Sequence, residues 1–246
     1  MQFACNFCGK CCRDRHLPLT LAEARQWVAE GGRLIIVIEA FLADGTGVPD
    51  DQRDHAQRRS LRVRCGDTDA YVAITFAGYN TSACRHLTDE NRCAIHHRRP
   101  LVCRIYPMEI NPHIPLRPQS KDCAPETWLT GPTFMRDGRV IDSGLSDLIE
   151  RSRQADRNDI VAKAAICQHL GIDIAALKGD GFTTYLPETD ALLAALRDDA
   201  KRGGHPVEVQ QDWALHVTRG DLAQTLTSRG ARVVTSLPET CTFVQL

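Results

Sequence analysis

Near its beginning the chain reads Cys5-Asn6-Phe7-Cys8-Gly9-Lys10-Cys11-Cys12, which places four cysteines within eight residues. Two residues between successive cysteines let a tight turn direct both sulfurs toward one metal ion or cluster. A ferredoxin run would add its fourth cysteine after three further residues and follow it with proline. Here Cys12 follows Cys11 directly and Arg13 comes next. The stretch therefore predicts a fold organised by metal, but not a ferredoxin loop.

The adjacent pair Cys11-Cys12 restricts what this stretch can bind. Neighbouring side chains point to opposite sides of a strand, or about 100° apart around a helix. Binding one small ion through both sulfurs is therefore awkward. Two metals, a cluster of several irons, or one cysteine that is not a ligand would each resolve the difficulty.

A second group of four cysteines lies far along the chain and must fold back on the first, because closed thiolate sites typically need four ligands. Arginines flank both groups, and a cation beside a thiol lowers the thiol pKa and favours the thiolate. The expected cofactor is an iron–sulfur cluster, 4Fe-4S in type, or zinc. The predicted metal ligands are Cys5, Cys8, Cys11, Cys12, Cys84, Cys93, Cys103 and Cys123.

Other roles for cysteines remain open at this point. The eight clustered residues could instead be free, buried or redox-paired thiols. Cys65, Cys167 and Cys241 lie outside the spacing, and we expect them to be small apolar residues of the core. His86, His96 and His97 lie among the second group of cysteines; each is expected on the surface or in packing rather than as a ligand.

Composition and charge restrict the class of protein. The 246 residues are 43% hydrophobic and 25% charged, as in ordinary soluble globular proteins, and the net charge of −1 gives no reason to expect nucleic acid or a membrane as partner. We see no secretory signal, and the longest apolar run, 34–38, is too short to span a bilayer. The expected compartment is the cytoplasm, where clustered cysteines are more often metal ligands than disulfides. The partner is an unidentified protein or small molecule.

Local patterns predict how the chain folds between the two cysteine groups. Thr20-Leu-Ala-Glu23 is a capping box, so a helix should begin there and stop near Gly31. Residues 34–42 are apolar and permit a strand or a helix. Residues 50–60 are charged throughout and predict an exposed helix or disorder. The alternation across 61–76 predicts a hairpin.

Five prolines lie between residues 84 and 123. They exclude long helices and predict irregular chain around an organising centre.

The whole chain is predicted to divide into three parts. The fold class is predicted as α+β: an irregular, metal-organised cysteine-rich domain at 1–125, a linker at 126–142, and a smaller α/β region at 143–246 whose role is unknown. Its predicted elements are helices at 146–170, 187–202 and 222–228, with strands at 207–217 and 231–235.

Several stretches together resemble one family. Cys5–Arg13, followed by Leu17-Pro-Leu-Thr20 and Glu23, is similar to the opening of the YkgJ-type cysteine-cluster family, known by its CxxCxxCC signature. The family's second block is resembled by Cys84-Arg-His-Leu87, Cys93-Ala-Ile95, Arg99-Pro100, Cys103-Arg104 and Tyr106-Pro107. The departure is His96-His97, where an aromatic residue would be expected. The resemblance covers about residues 1–125 and implies a zinc- or iron-chelating domain. Flagellin lysine-N-methylases share the signature.

Three hypotheses for function follow. The first is a metal-binding protein with an iron–sulfur cluster or zinc; the spacing and the adjacent cysteine pair favour a centre with several irons. The second, from the resemblance, is a metal-dependent enzyme such as a protein lysine N-methyltransferase, for which no catalytic residue can be named. The third is a thiol-redox or metal-handling protein. The sequence has neither a dinucleotide-binding glycine motif nor a phosphate-binding loop.

Overall fold

The computed structural model describes residues 1–202 and 211–246, which contain seven α-helices and eleven β-strands. The helices are α1 (Leu21–Ala29), α2 (Arg53–Arg58), α3 (Leu101–Ile105), α4 (Ser143–Asn158), α5 (Ile160–His169), α6 (Thr189–Arg202) and α7 (Gly220–Ser228). The strands are β1 (Leu17–Leu19), β2 (Leu34–Leu42), β3 (Leu61–Cys65), β4 (Thr68–Gly78), β5 (Met135–Arg136), β6 (Arg139–Val140), β7 (Ile174–Leu177), β8 (Gly181–Tyr185), β9 (Ala214–His216), β10 (Val233–Val234) and β11 (Cys241–Gln245). Helices combined with a mixed sheet confirm the α+β class.

Nine of the described strands form one mixed sheet, whose main path runs β1-β4-β2-β7-β9-β10. Strand β3 also pairs with β4, and β8 connects β2 to β11. The antiparallel pair β2–β4 extends from Leu34 opposite Gly78 to Leu42 opposite Ala70. On its other edge β2 pairs with β7 in parallel and with β8 antiparallel. Strands from both sides of the predicted linker therefore share one sheet, while the domain limits given above stay a prediction.

The burial of β2 explains why the apolar pattern of residues 34–42 permitted either a strand or a helix. All but two residues of β2 are buried, and paired strands flank it on both edges. Such a strand has a continuous apolar run rather than the alternation of a half-exposed one. Ile36 of β2 lies in the same hydrophobic core as Phe76 of β4. Trp213 and Leu215 of the C-terminal region lie in that core too. One hydrophobic core thus joins both halves of the chain.

Local expectations hold where short-range chemistry decides them. The capping box is confirmed: Thr20 Oγ1 accepts from Glu23 N at 3.2 Å, and Glu23 Oε2 accepts from Thr20 N at 3.0 Å. Gly31, with φ of +81°, follows the helix end. The hairpin is confirmed as β3 and β4, and 50–60 is helical through α2 and a short 3₁₀ turn. Between 84 and 123 the one α-helix is the five-residue α3.

In the C-terminal region the predicted helices are confirmed, with the first one divided at Asp159 into α4 and α5. The predicted strand at 231–235 contains β10, and the one at 207–217 contains β9, although 207–210 lie outside the described residues. The patterns missed β7, β8 and β11, whose runs of four or five residues are too short to give a period.

No helix within 1–202 or 211–246 is both long enough and apolar enough to cross a bilayer.

Candidate metal centre

The first cysteine group lies on a loop that the backbone holds against the second. Gly9 has a φ of +71°, and a Cβ there would come within 3.0 Å of Asn91 O, so only glycine suits this approach. A short 3₁₀ turn, Lys10–Cys12, follows. The carbonyl oxygen of Cys12 then accepts a hydrogen bond from the backbone N–H of Cys84 at 2.7 Å. The two cysteine groups are therefore joined directly through the main chain.

The second group is carried by a compact series of turns and by α3. Leu87 N donates to Cys84 O at 2.9 Å, and Leu87 forms an isolated β-bridge with Cys93. Cys103 lies on α3, whose first N–H, that of Leu101, donates to Glu23 Oε1 at 2.7 Å. The capping-box glutamate of α1 therefore also fixes the helix that presents Cys103.

A cavity of about 270 Å³ lies between the two groups. Six of the eight predicted ligands line it, namely Cys5, Cys11, Cys12, Cys84, Cys93 and Cys103. Cys8 and Cys123 do not line this cavity. Cys123 instead contacts Tyr106, with 3.0 Å between its Sγ and the phenol oxygen, and lies within electrostatic range of Cys5 and Cys8. Thiols distant in sequence thus converge on one volume.

The thiols do not form a ready-made coordination sphere. In the two ranges 1–202 and 211–246, no three His, Cys, Asp or Glu side chains are grouped as ligands of one metal ion. Cys11 and Cys12 hydrogen bond to each other, as Tyr106 and Cys123 do. The structure therefore brings six of the eight cysteines to a common cavity, while the eight-residue ligand set stays a prediction.

The charge state of the cysteine thiols determines what the cysteine cavity can bind. Burial raises the pKa of the Cys103 thiol to about 12, with the nearby Cys84 and Cys11 adding to the effect. Burial likewise raises the pKa of Cys84. Within the adjacent pair, the shared hydrogen bond lowers the pKa of Cys11 to about 6 and raises that of Cys12. Several thiolates can therefore coexist here only if positive charge enters between them, and a metal ion supplies that charge. The donor set fits a metal centre.

Cations and aromatic rings also line the cysteine cavity. Arg15 and Arg99, which flank the cysteine groups, line the cavity, as does Lys121, whose ion pair with Glu109 was not predicted. His16, also unpredicted, lines it and stacks on Tyr79 at 5.1 Å between ring centroids. Of the three histidines weighed as alternative ligands, His86 and His96 line the cavity and His97 does not.

A match to a sequence family supports metal chelation by the cysteine-rich segment. Residues 4–125 match the CxxCxxCC family, described as "Putative zinc- or iron-chelating domain". This segment of the chain belongs to the CxxCxxCC family. The CxxCxxCC segment contains both cysteine groups and therefore all eight predicted ligands. No curated protein and no solved structure matches the chain significantly.

The double role of Glu23 gives a testable consequence for the CxxCxxCC segment. Glu23→Ala removes the acceptor of the Leu101 N–H and loosens α3, so we expect the metal affinity to fall by about tenfold, as for other supporting contacts of metal sites. Thr20→Ala is the matched control, because it breaks the same capping box at a cost of about 1 kcal/mol but leaves the contact of Glu23 with Leu101. A competition titration with a chelator measures both variants. Equal affinities in the two would show that Glu23 acts only on α1.

Proposed function

We propose that this protein binds an iron–sulfur cluster, 4Fe-4S in type, in the cavity between its two cysteine groups, with zinc as the alternative metal. The observation that carries the proposal is that six thiols from both groups line a single cavity of about 270 Å³. Cys5, Cys8, Cys11, Cys12, Cys84, Cys93, Cys103 and Cys123 are the residues from which the ligands would come. When bound, such a cluster supplies one-electron transfer or a structural centre.

One feature favours a cluster over a single zinc ion. The number of thiols does not separate the two, because four thiolates hold either a structural zinc ion or a 4Fe-4S cluster. The adjacent Cys11 and Cys12 suit a centre with more than one metal atom. Arg15, Arg99 and Lys121 line the same cavity and would offset the negative charge of a thiolate-bound cluster. Apolar neighbours such as Trp27 and Val102 would shield it from water.

Cysteines clustered at metal-binding spacing favour a reducing compartment such as the cytoplasm. In oxidising compartments clustered thiols tend to form disulfides, whereas reduced thiols remain available for metal. This part of the proposal concerns where the protein works and does not depend on which metal it binds.

The test is purification without oxygen, followed by a visible absorption spectrum and measurement of iron, zinc and acid-labile sulfide. We expect a brown protein with about four irons and four sulfides per chain. A colourless protein that contains zinc and lacks sulfide would exclude the cluster and leave zinc as the metal. A protein that contains neither metal, and takes up neither after reconstitution with iron and sulfide or with zinc, would overturn the proposal.

A further inference from the structure

A second cavity, of about 230 Å³, adjoins the cysteine cavity, and neither the family description nor the cysteine pattern accounts for it. Pro18, Val102, Met108 and Glu109 line both cavities and form the wall between them. The volume lies below the range of about 300–1,000 Å³ that is usual for drug-sized ligands. The second cavity therefore suits a small organic molecule.

The lining of the second cavity combines an apolar surface with a buried cation. Leu101 and Ile110 contribute to the apolar surface, and Lys163 of α5 lies on the charged side. The Lys163 side chain is only 3% exposed, and the helix positions on either side of it are apolar. Burying an ammonium group is costly unless negative charge and hydrogen bonds compensate it.

That compensation is incomplete. Lys163 Nζ lies 3.4 Å from Asp156 Oδ1, longer than the roughly 2.7–2.9 Å of a good charge-assisted hydrogen bond. Arg59 Nε occupies the other oxygen of the same carboxylate at 2.9 Å. Two cations therefore share this one carboxylate, and Lys163 has the longer contact with it.

The remaining acids that line the cavity are engaged elsewhere. Both oxygens of Glu23 accept backbone N–H groups, from Thr20 and Leu101. Glu109 is paired with Lys121 on the side of the cysteine cavity.

We propose that the second cavity binds a small monocarboxylate with an apolar chain. The carboxylate would lie against Lys163 and Arg59 and give these two cations a second acceptor. The apolar chain would contact Leu101, Val102 and Ile110. This inference is independent of the proposed cluster, because none of the predicted metal ligands lines the second cavity.

The test is calorimetric titration of the intact, metal-loaded protein with hexanoate, hexanol and hexylamine, which share one chain and differ in the head group. We expect hexanoate to bind and hexylamine not to bind. Hexanol should bind at least about tenfold more weakly, because a hydrogen bond to a charged group contributes about 1.5–3 kcal/mol. Absence of hexanoate binding, or equal binding of hexylamine, would overturn the proposal.

Two variants then assign the binding to this cavity. Lys163→Met should weaken hexanoate binding at least about tenfold. Lys178→Met is the matched control: Lys178 is also a largely buried lysine in an ion pair, with Glu39, but it does not line this cavity. Ser152→Phe, at a buried position of the lining, fills the cavity and leaves both cations in place, so it should abolish binding. If Lys163→Met does not fold, Ser152→Phe decides alone. Unchanged binding in the folded cavity variants would refute the assignment.

Discussion

Replacing Cys103 by serine is expected to remove at least about nine-tenths of the bound metal. A serine hydroxyl is a poor ligand for the soft metals that thiolates select. Cys103 lines the cysteine cavity, close enough to Cys84 and Cys11 for their charges to raise its pKa. The contact of Leu101 N with Glu23 also fixes the helix that carries Cys103. Metal analysis and the visible spectrum after anaerobic purification measure the loss.

The control for this experiment is Cys65→Ala. Cys65 is fully buried in β3 and its Sγ lies 3.7 Å from Arg232 O, outside the cysteine cavity. Its replacement should lower stability slightly and leave the metal content unchanged. Equal metal content in Cys103→Ser and in the wild type would show that the cavity between the cysteine groups is not the metal site.

The second large effect is expected at Gly66, in the turn between β3 and β4. Gly66 has a φ of +67°, and a Cβ there would lie 2.7 Å from Gly230 O and 2.8 Å from Arg232 N. Both are backbone atoms, so they cannot swing aside as a side chain would. Gly66→Ala should therefore lower the free energy of unfolding by about 3 kcal/mol, the sum of about 1 for the left-handed conformation and about 2 for the overlap.

Gly171→Ala separates the two contributions. Gly171 has the same φ of +67°, but nothing lies within 4 Å of the position its Cβ would take. We expect it to lose only the conformational part, about 1 kcal/mol. Urea unfolding of both variants gives the comparison. Equal losses at the two sites would mean that the backbone at Gly230–Arg232 accommodates a Cβ at Gly66 without cost.

The sequence was informative where the chemistry is local. The capping box at Thr20–Glu23 and the alternation of 61–76 each depend on residues a few positions apart, and both patterns appear as predicted. The convergence of the cysteines could also be predicted, because two groups of cysteines at such spacing rarely have a role other than metal binding. Spacing alone did not separate the six that line the cavity from Cys8 and Cys123.

The contacts that spacing could not predict join positions far apart in the chain. The hydrogen bond from Cys84 N to Cys12 O and that from Leu101 N to Glu23 depend on how the sheet brings segments together. Lys163 did leave a signal: it is the one charged residue between Ile160 and Cys167. A lysine within an apolar helical run indicates a buried cation, but its partner Asp156 could be identified only from the fold.

Strand β2 makes the two halves of the molecule structurally interdependent. It hydrogen bonds to β4 on one edge and to β7 and β8 on the other. A fragment ending before residue 143 would leave the second edge bare, with unpaired N–H and C=O groups beside a strongly apolar strand. Such an edge is a template for self-association. Proteolysis or truncation in the segment at 126–142 would thus make the N-terminal half prone to aggregation. The C-terminal half therefore protects the second edge of β2 from self-association.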